Sequence, residues 1–153
     1  MNTSTASTED QAEAILARAS FFRRMSPEQR AVLASLADLQ ELPAGTEIYK
    51  VGDEAHFLYV LVDGMVRFGL PMGQRQATAG EIIRRGEVFG WAALIEGAQR
   101  RIATASCITA CTALAIDGRL LIRLMANDHS LGYAVMREVS LLISSTLTAY
   151  AAG

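Results

Sequence analysis

Residues 57–70 read FLYVLVDGMVRFGL, two apolar runs joined by Asp63-Gly64. Asp-Gly between β-prone runs is the strongest short-range signal for a β-hairpin, so we expect a hairpin here. Further turn signals lie on both sides of it, at Pro43-Ala44-Gly45, Gly52-Asp53 and Arg85-Gly86-Glu87. Turns spaced roughly 8 to 12 residues apart are typical of β-sandwiches and β-rolls. The sequence therefore predicts an eight-stranded β-roll over about residues 39–117.

Helical patterns flank the predicted roll. Residues 1–8 are rich in Ser and Thr with little to bury, so we expect them to be disordered. A first helix is predicted near residues 9–19. Ser26 and Pro27 provide an N-cap and a first helical position for a second helix, near residues 27–37.

The chain beyond the roll is also predicted to be helical. Asp117-Gly118 ends the last strand, and a short helix, a break near residues 127–130 and a long helix to about Tyr150 follow. The fold class is therefore α+β. Residues 9–153 form one domain, with N-terminal helices, the β-roll and C-terminal helices over about residues 118–150.

The long helix carries two apolar stripes. The first has the 4-3-4-3 spacing of a coiled-coil seam, and its members are Val135, Val139, Leu142, Thr146 and Ala149. The second lies beside it and comprises Met136, Ile143, Leu147 and Tyr150. A helix with two stripes can cover its own domain and meet a partner, so we expect a homodimer through this helix. The alternative is one wide stripe facing the domain core.

Composition restricts the function classes. No uncharged apolar run of about 18 residues exists, so no membrane span is expected. The start, MNTSTASTED, has no basic and apolar signal region, which favours a cytoplasmic protein. A net charge of −2 and a pI near 5.7 argue against a dedicated nucleic-acid binder.

Catalytic and metal-binding patterns are not recognisable. Cys107 and Cys111 are expected on one strand from Ile102 to Ile116, roughly 13 Å apart and too distant for a disulfide. We interpret them as two buried free thiols. His56 and His129 are isolated from other ligand types and from any nucleophile motif. We therefore predict no enzyme activity, no catalytic residue, no metal site and no cofactor.

Residues 89–106, FGWAALIEGAQRRIATAS, combine features of an anion site. Gly90 permits a tight turn, and the small residues Ala92 and Ala93 leave backbone N–H groups uncrowded. Arg101 returns about ten residues later with a planar guanidinium suited to phosphate oxygens. Arg100 should face the opposite side of an extended chain. The spacing predicts a phosphate cradle closed by Arg101.

These residues resemble the phosphate-binding cassette of the cyclic-nucleotide-binding domain family, which includes the catabolite activator protein and related regulators. The positions that match are Phe89, Gly90, Leu94, Arg101, Ala103 and Thr104. The resemblance extends from FFRRMSPEQ, through VGDEAHFLYVLVDGMV, to the C-terminal helix. It implies a double-stranded β-roll (jelly roll) that binds a cyclic nucleotide such as cAMP or cGMP. By the resemblance, Arg101 pairs with the cyclic phosphate.

At three further positions the match to the family is incomplete or open to two interpretations. Trp91 stands where the family usually has a glutamate that accepts the ribose hydroxyl, and an indole has no acceptor oxygen. It either stacks on a flat ligand or fills the pocket. Ile102 replaces a small residue beside Arg101 and crowds the phosphate if it points inward. Thr146 either contacts the base or is a polar member of the dimer seam.

Two functions remain open from the sequence. The first is a non-catalytic sensor that binds a cyclic nucleotide or another small anion at residues 89–104 and signals through the C-terminal helix. The second is a dimeric interaction module whose pocket is filled by Trp91 and Ile102. Transcription regulators of the family carry a DNA-binding helix-turn-helix after the long helix, whereas this sequence stops at Gly153. We therefore expect no direct DNA binding.

Overall fold

The computed structural model describes residues 3–69, 71–72, 75–76, 82–97 and 100–152. The helices in these ranges are α1 (Thr3–Arg18), α2 (Pro27–Ser35), α3 (Gly118–Asn127) and α4 (His129–Ala152), with 3-10 turns at Ser20–Phe22 and Trp91–Leu94. The strands in these ranges are β1 (Ala37–Leu42), β2 (Glu47–Tyr49), β3 (Phe57–Asp63), β4 (Val66–Gly69), β5 (Pro71–Met72), β6 (Arg75–Gln76), β7 (Ile82–Ile83), β8 (Val88–Phe89), β9 (Thr104–Cys107) and β10 (Cys111–Asp117).

Two antiparallel sheets form a β-roll in the described part of the chain. The strand order is β1-β10-β3-β8 in the first sheet and β2-β9-β4-β7 in the second. β5 and β6 pair separately with each other. The predicted α+β fold, with an eight-stranded roll, N-terminal helices and a long C-terminal helix, is confirmed.

The expected hairpin at Asp63-Gly64 is wrong. β3 and β4 flank this turn but belong to different sheets, so the turn carries the chain from the first sheet to the second. Gly64 has φ of 99°, and a Cβ there would lie 2.5 Å from the carbonyl oxygen of Ala110. The Asp-Gly signal therefore identified the turn correctly. Strand pairing was decided by burial of both apolar faces, which local turn chemistry does not specify.

The expected single strand through Cys107 and Cys111 is also wrong. β9 ends at Cys107 and β10 begins at Cys111, so the chain turns between them and changes sheets. The two thiols are neighbours, and a hydrogen bond to Cys111 contributes, after burial, to a raised pKa of Cys107. Both cysteines are buried and free, as expected.

The first sheet separates two apolar clusters because neighbouring side chains of a strand point to opposite faces. On β10, Leu114 and Ile116 pack against the helices. Ala113 and Ala115 point into the roll, among buried aromatic side chains of both sheets. The first cluster is hereafter the helix-side core and the second is the roll interior. The candidate cassette lies where these two clusters meet.

The N-terminal helices lie where the sequence predicts them, except at the start of the first helix. Ser26 accepts a hydrogen bond from the Gln29 backbone N–H, and the Gln29 side chain accepts one from the Ser26 N–H, which caps α2. α1 begins at Thr3, inside the segment that we expected to be disordered. That segment contains no Gly or Pro, and each Ser or Thr disfavours a helix by less than about 0.7 kcal/mol, so an established helix can extend through it.

The first stripe of α4 faces this protein's own core. Val135 and Val139 are fully buried in the helix-side core, and Leu142 packs against it. The side chains of Ala149 and Tyr150 lie outside the described residues. In the second stripe, Leu147 is 65% exposed and Met136 is partly exposed. Ile143 of the second stripe also packs against the helix-side core. The first stripe is therefore not a free dimer seam, and only the exposed members of the second stripe remain available. No described helix has the length and apolarity needed to cross a membrane.

Candidate functional site

The cassette begins with a left-handed turn at Gly90. β8 ends at Phe89, and Gly90 follows with φ of 84° before the 3-10 turn Trp91–Leu94. A Cβ on Gly90 would lie 3.0 Å from the Phe57 carbonyl oxygen and 3.1 Å from Nη1 of Arg101. Both the conformation and the close approach therefore require glycine. Ala92 and Ala93, expected to present backbone N–H groups, are buried in the turn.

Arg101 lies in the protein interior, with only 4% of its surface exposed. Its Nη1 donates to the carbonyl oxygen of Gly90 at 2.9 Å, and its Nη2 donates to that of Phe57 at 2.7 Å. The guanidinium carbon lies 4.0 Å from the centre of the Tyr49 ring, a cation–π contact. The arginine that the sequence assigns to a ligand is therefore held by the protein's own backbone and an aromatic ring.

The charge of Arg101 has no counter-ion among the described side chains, since no carboxylate of that part lies within ion-pair distance. Burial lowers the pKa of Arg101, while the nearby Tyr49, Tyr59 and Asp53 oppose this shift. Burial also raises the pKa of Tyr49, which keeps its hydroxyl protonated at neutral pH. Arg101 Nε and Tyr49 Oη are buried without a hydrogen-bond partner in the described structure. A buried cation with spare donors is electrostatically suited to an anion.

The cavity beside Arg101 has a volume of only about 10 Å³. A second cavity of about 20 Å³ lies beneath α4. Both are bordered by Phe68, Gly90 and Trp91. Ligand pockets usually measure roughly 300–1,000 Å³, so neither cavity accommodates a nucleotide in this conformation. Trp91 is half-buried and packs against the helix-side core.

Ile102 and Thr146 border different cavities. Ile102 borders the smaller cavity but is 45% exposed, so it does not point inward and crowd the pocket. Thr146 is buried and donates its hydroxyl to the carbonyl oxygen of Leu142, 2.9 Å away, on its own helix. It borders the second cavity. Arg101 and Thr146 therefore lie at different cavities that share Trp91 as a wall.

The two adjacent arginines separate as the alternation of an extended chain predicts. Arg100 is exposed, and its Nη1 donates to the carbonyl oxygen of Gly52 at 3.2 Å. The backbone of Arg101 is fixed by hydrogen bonds of 2.8 Å with Gly52 and Asp53. Sequence reasoning missed Tyr49, the aromatic partner of Arg101. No local signal reveals it, because the contact depends on the pairing of β2 with β9.

The structure combines a β-roll, a left-handed glycine turn and an arginine that returns to that turn, which is the arrangement that the sequence predicts for the cassette. The family model of the cyclic nucleotide-binding domain matches residues 39–128, more than half of the chain. The chain belongs to this family, whose fold is typical of ligand-sensing regulators. The resemblance read from the cassette is confirmed.

Solved structures share the fold. A protein from Geobacter metallireducens, named as a candidate cyclic nucleotide-binding protein, is 22% identical with a TM-score of 0.76 over 89% of this chain and 97% of its own. The sensor domain of the transcriptional regulator DNR from Pseudomonas aeruginosa is 19% identical, with a TM-score of 0.75 over 92% and 93%. The regulatory domain of Toxoplasma gondii PKA, solved with cAMP, is 18% identical, with a TM-score of 0.76 over 88% and 51%. Identities this low show the fold alone. No curated protein matches the sequence.

Proposed function

We propose that the chain is a non-catalytic ligand-sensing domain that binds a small anionic ligand at residues 89–104 and signals through α4. The observation that carries this proposal is the buried guanidinium of Arg101, which has no carboxylate partner among the described residues. Desolvating a charge is costly unless it is paired. An anion that reaches Arg101 supplies the missing charge.

Binding requires the cassette to open, because the cavity beside Arg101 is far smaller than a ligand. In the proposed open state, Arg101 exchanges its hydrogen bonds with the Gly90 and Phe57 carbonyls for the ligand. Backbone N–H groups near Ala92 and Ala93 complete the cradle. The family name makes a cyclic nucleotide such as cAMP or cGMP the first ligand to test. Trp91 offers no acceptor for a ribose hydroxyl, so another small anion is a second class.

Two contacts support signalling from the cassette to the C-terminal helices. Gly118, the first residue of α3, packs so closely on Ala93 that a Cβ there would lie 2.6 Å from the Ala93 carbonyl oxygen. Trp91 and Thr146 border one cavity beneath α4. A movement of the turn Trp91–Leu94 would therefore displace both helices, since packed elements move together.

The proposed homodimer uses the second stripe of α4. Leu147 and Met136 are exposed there. Thr146 is buried at the second cavity, which supports its alternative role as a ligand contact rather than a place in the dimer seam.

A dimeric module that binds no ligand is the second candidate. The observation favouring it is that the protein already satisfies Nη1 and Nη2 of Arg101 with two carbonyl oxygens. In this account the guanidinium and the surrounding aromatic side chains close the pocket. Trp91 contributes to closing the pocket, whereas the exposed Ile102 does not.

A thermal-shift series separates the two candidates. The wild type, Arg101→Lys and Arg100→Lys are melted with cAMP, cGMP, inorganic phosphate and small carboxylates. A ligand at 100 times its dissociation constant stabilises by about 2.7 kcal/mol. Lysine keeps the charge but loses the planar fork. Stabilisation of the wild type and Arg100→Lys, reduced in Arg101→Lys, supports the sensor. If no anion stabilises the wild type, the ligand-free module is favoured.

A further inference from the structure

The polar side-chain groups around the cavity beside Arg101 are all able to donate hydrogen bonds. Among the described residues, those that border it are Tyr49, Phe68, Gly90, Trp91, Ala92, Arg101, Ile102 and Ala103. Their polar groups are a guanidinium, an indole N–H and a phenol hydroxyl, and none is a carboxylate, carboxamide or imidazole. A ligand seated here meets donors for its acceptor atoms. Among these side chains, its own hydroxyl groups would find no carboxylate or carboxamide oxygen, and the Gly90 and Phe57 backbone carbonyls accept from Arg101 in this conformation.

From this we infer that the ligand is a carboxylate with an aromatic or aliphatic body. The inference rests on the function proposed above and narrows the ligand class of the same site. Two buried donors lack a partner in the described structure, namely Arg101 Nε and the Tyr49 hydroxyl. A carboxylate has two oxygens, which can accept from both.

The charge of the site favours a monoanion. Arg101 is the one cation among the described residues that border the cavity. A carboxylate carries one negative charge and pairs with one guanidinium. A cyclic phosphodiester also carries one charge, whereas a phosphate monoester carries close to two at neutral pH, and its second charge would remain buried without a cation.

The surroundings of Arg101 favour an apolar ligand body. Tyr49, Tyr59 and Phe89 form successive ring contacts, with centroids 6.2 Å and 5.1 Å apart. Phe68 packs edge-on against Tyr49. Trp91 stands between the two cavities, so its displacement would join them beneath Leu142 and Thr146. An apolar body in the joined space loses contact with water, which is favourable.

A hydroxyl-rich body has only one described carboxylate available. Glu87 borders the second cavity, but its Oε1 already accepts a hydrogen bond of 2.8 Å from the Arg84 backbone N–H. The second Glu87 oxygen is the acceptor that a sugar hydroxyl in this cavity would need, because a buried hydroxyl without a partner is unfavourable. An apolar body needs no such acceptor.

Calorimetric titration of the full chain tests the inference with three simple probes. Benzoate carries a carboxylate on an aromatic ring. Benzyl alcohol has the ring without the charge, and acetate has the carboxylate without the ring. We expect benzoate to bind at least about tenfold more tightly than either, the factor that corresponds to about 1.4 kcal/mol. Tyr49→Phe removes one donor to a charged oxygen and should weaken benzoate at least about tenfold. Tyr133→Phe, on the exposed face of α4, is the matched control and should change nothing.

Titration with cAMP distinguishes failure of the carboxylate inference from failure of the sensor proposal. If cAMP binds in an Arg101-dependent manner and benzoate does not, the carboxylate inference is overturned while the anion site stands. If neither these probes nor inorganic phosphate binds at millimolar concentration, both the inference and the sensor proposal are overturned. Melting curves of each variant confirm that it is folded during the titration. Tyr49→Phe preserves the ring and removes only a hydroxyl without a partner in the described structure, so it should remain folded.

Discussion

A hydrogen bond within the cassette joins Gly90 and Arg101: the carbonyl oxygen of Gly90 accepts it from Nη1 of Arg101 at 2.9 Å. The same glycine lacks the side chain that would collide with this guanidinium. The residue that sets the turn is therefore also the residue that holds the arginine in the interior. A ligand must compete with this internal hydrogen bond to reach the charge.

Arg101→Ala should destabilise the protein. It removes the two hydrogen bonds that Arg101 donates to the Gly90 and Phe57 carbonyls, and it removes the contact with Tyr49. We expect a loss of about 2–4 kcal/mol in the free energy of unfolding, measured with urea. Arg100→Ala is the matched control, because Arg100 is exposed, and should change stability by less than about 0.5 kcal/mol. Equal effects of the two substitutions would show that the assignment of the buried arginine is wrong.

Alkaline pH should weaken the fold through Tyr49. Burial raises its pKa from the usual 10.0, so above pH 10 the unfolded chain loses this proton before the folded protein does. Stability is therefore fully present below pH 10 and falls as the pH rises further. Tyr49→Phe should reduce the slope of unfolding free energy against pH in this range. Tyr133→Phe should retain the wild-type slope, because Tyr133 is exposed. A slope unchanged in Tyr49→Phe would contradict the account.

Leu147→Glu and Val139→Glu should have opposite consequences. Leu147 is exposed on the second stripe, so glutamate there should leave the fold intact and convert a dimer to a monomer. Val139 is buried in the helix-side core, so glutamate there should unfold the domain. Light scattering and circular dichroism measure the two effects. A wild type that is monomeric at micromolar concentration would remove the dimer from the proposal.

Gly118→Ala should destabilise although alanine favours helices by about 1 kcal/mol over glycine. The new methyl group would lie 2.6 Å from the Ala93 carbonyl oxygen and 2.9 Å from the Ala93 Cβ, so the cassette turn and α3 must separate. Overpacking of this kind costs about 1–3 kcal/mol. Gly69→Ala is the control, since its Cβ would meet nothing closer than 4.0 Å. Thermal melting of both variants checks the difference. Wild-type stability in Gly118→Ala would argue against tight packing of cassette and helix.

The sequence predicted those features that depend on local chemistry. Ser26 and Gln29 identify the start of α2 because their hydrogen bonds join residues three apart. Asp117 ends the last strand and caps α3, accepting from the Arg119 and Leu120 N–H groups. The spacing from Gly90 to Arg101 identified the cassette, and the family match confirms the resemblance on which this reading was based. Each signal lies in the same short stretch of chain as the structure that it specifies.

Features set by distant segments were not predictable from the same patterns. Asp63-Gly64 marks a turn, but whether its strands pair depends on which sheet buries each of them. The first stripe of α4 has the spacing of a coiled coil, yet it packs on the domain, because an apolar stripe does not specify its partner. The contacts of Arg101 with Tyr49 and Phe57 were not predicted, because both residues are far from it in sequence.

A ligand should take Arg101 out of its internal hydrogen bonds, and side-chain NMR of this arginine tests this displacement most directly. Arg101→Lys identifies the Arg101 Nε–H resonance by its disappearance. Titration of the wild type with cAMP, and then with benzoate, follows that resonance. We expect one of these anions to shift the Arg101 Nε–H resonance in a saturable manner, because Nε has no partner in the described structure and gains an acceptor on binding. An Arg101 Nε–H resonance that stays fixed while either anion binds elsewhere in the protein would contradict the claim.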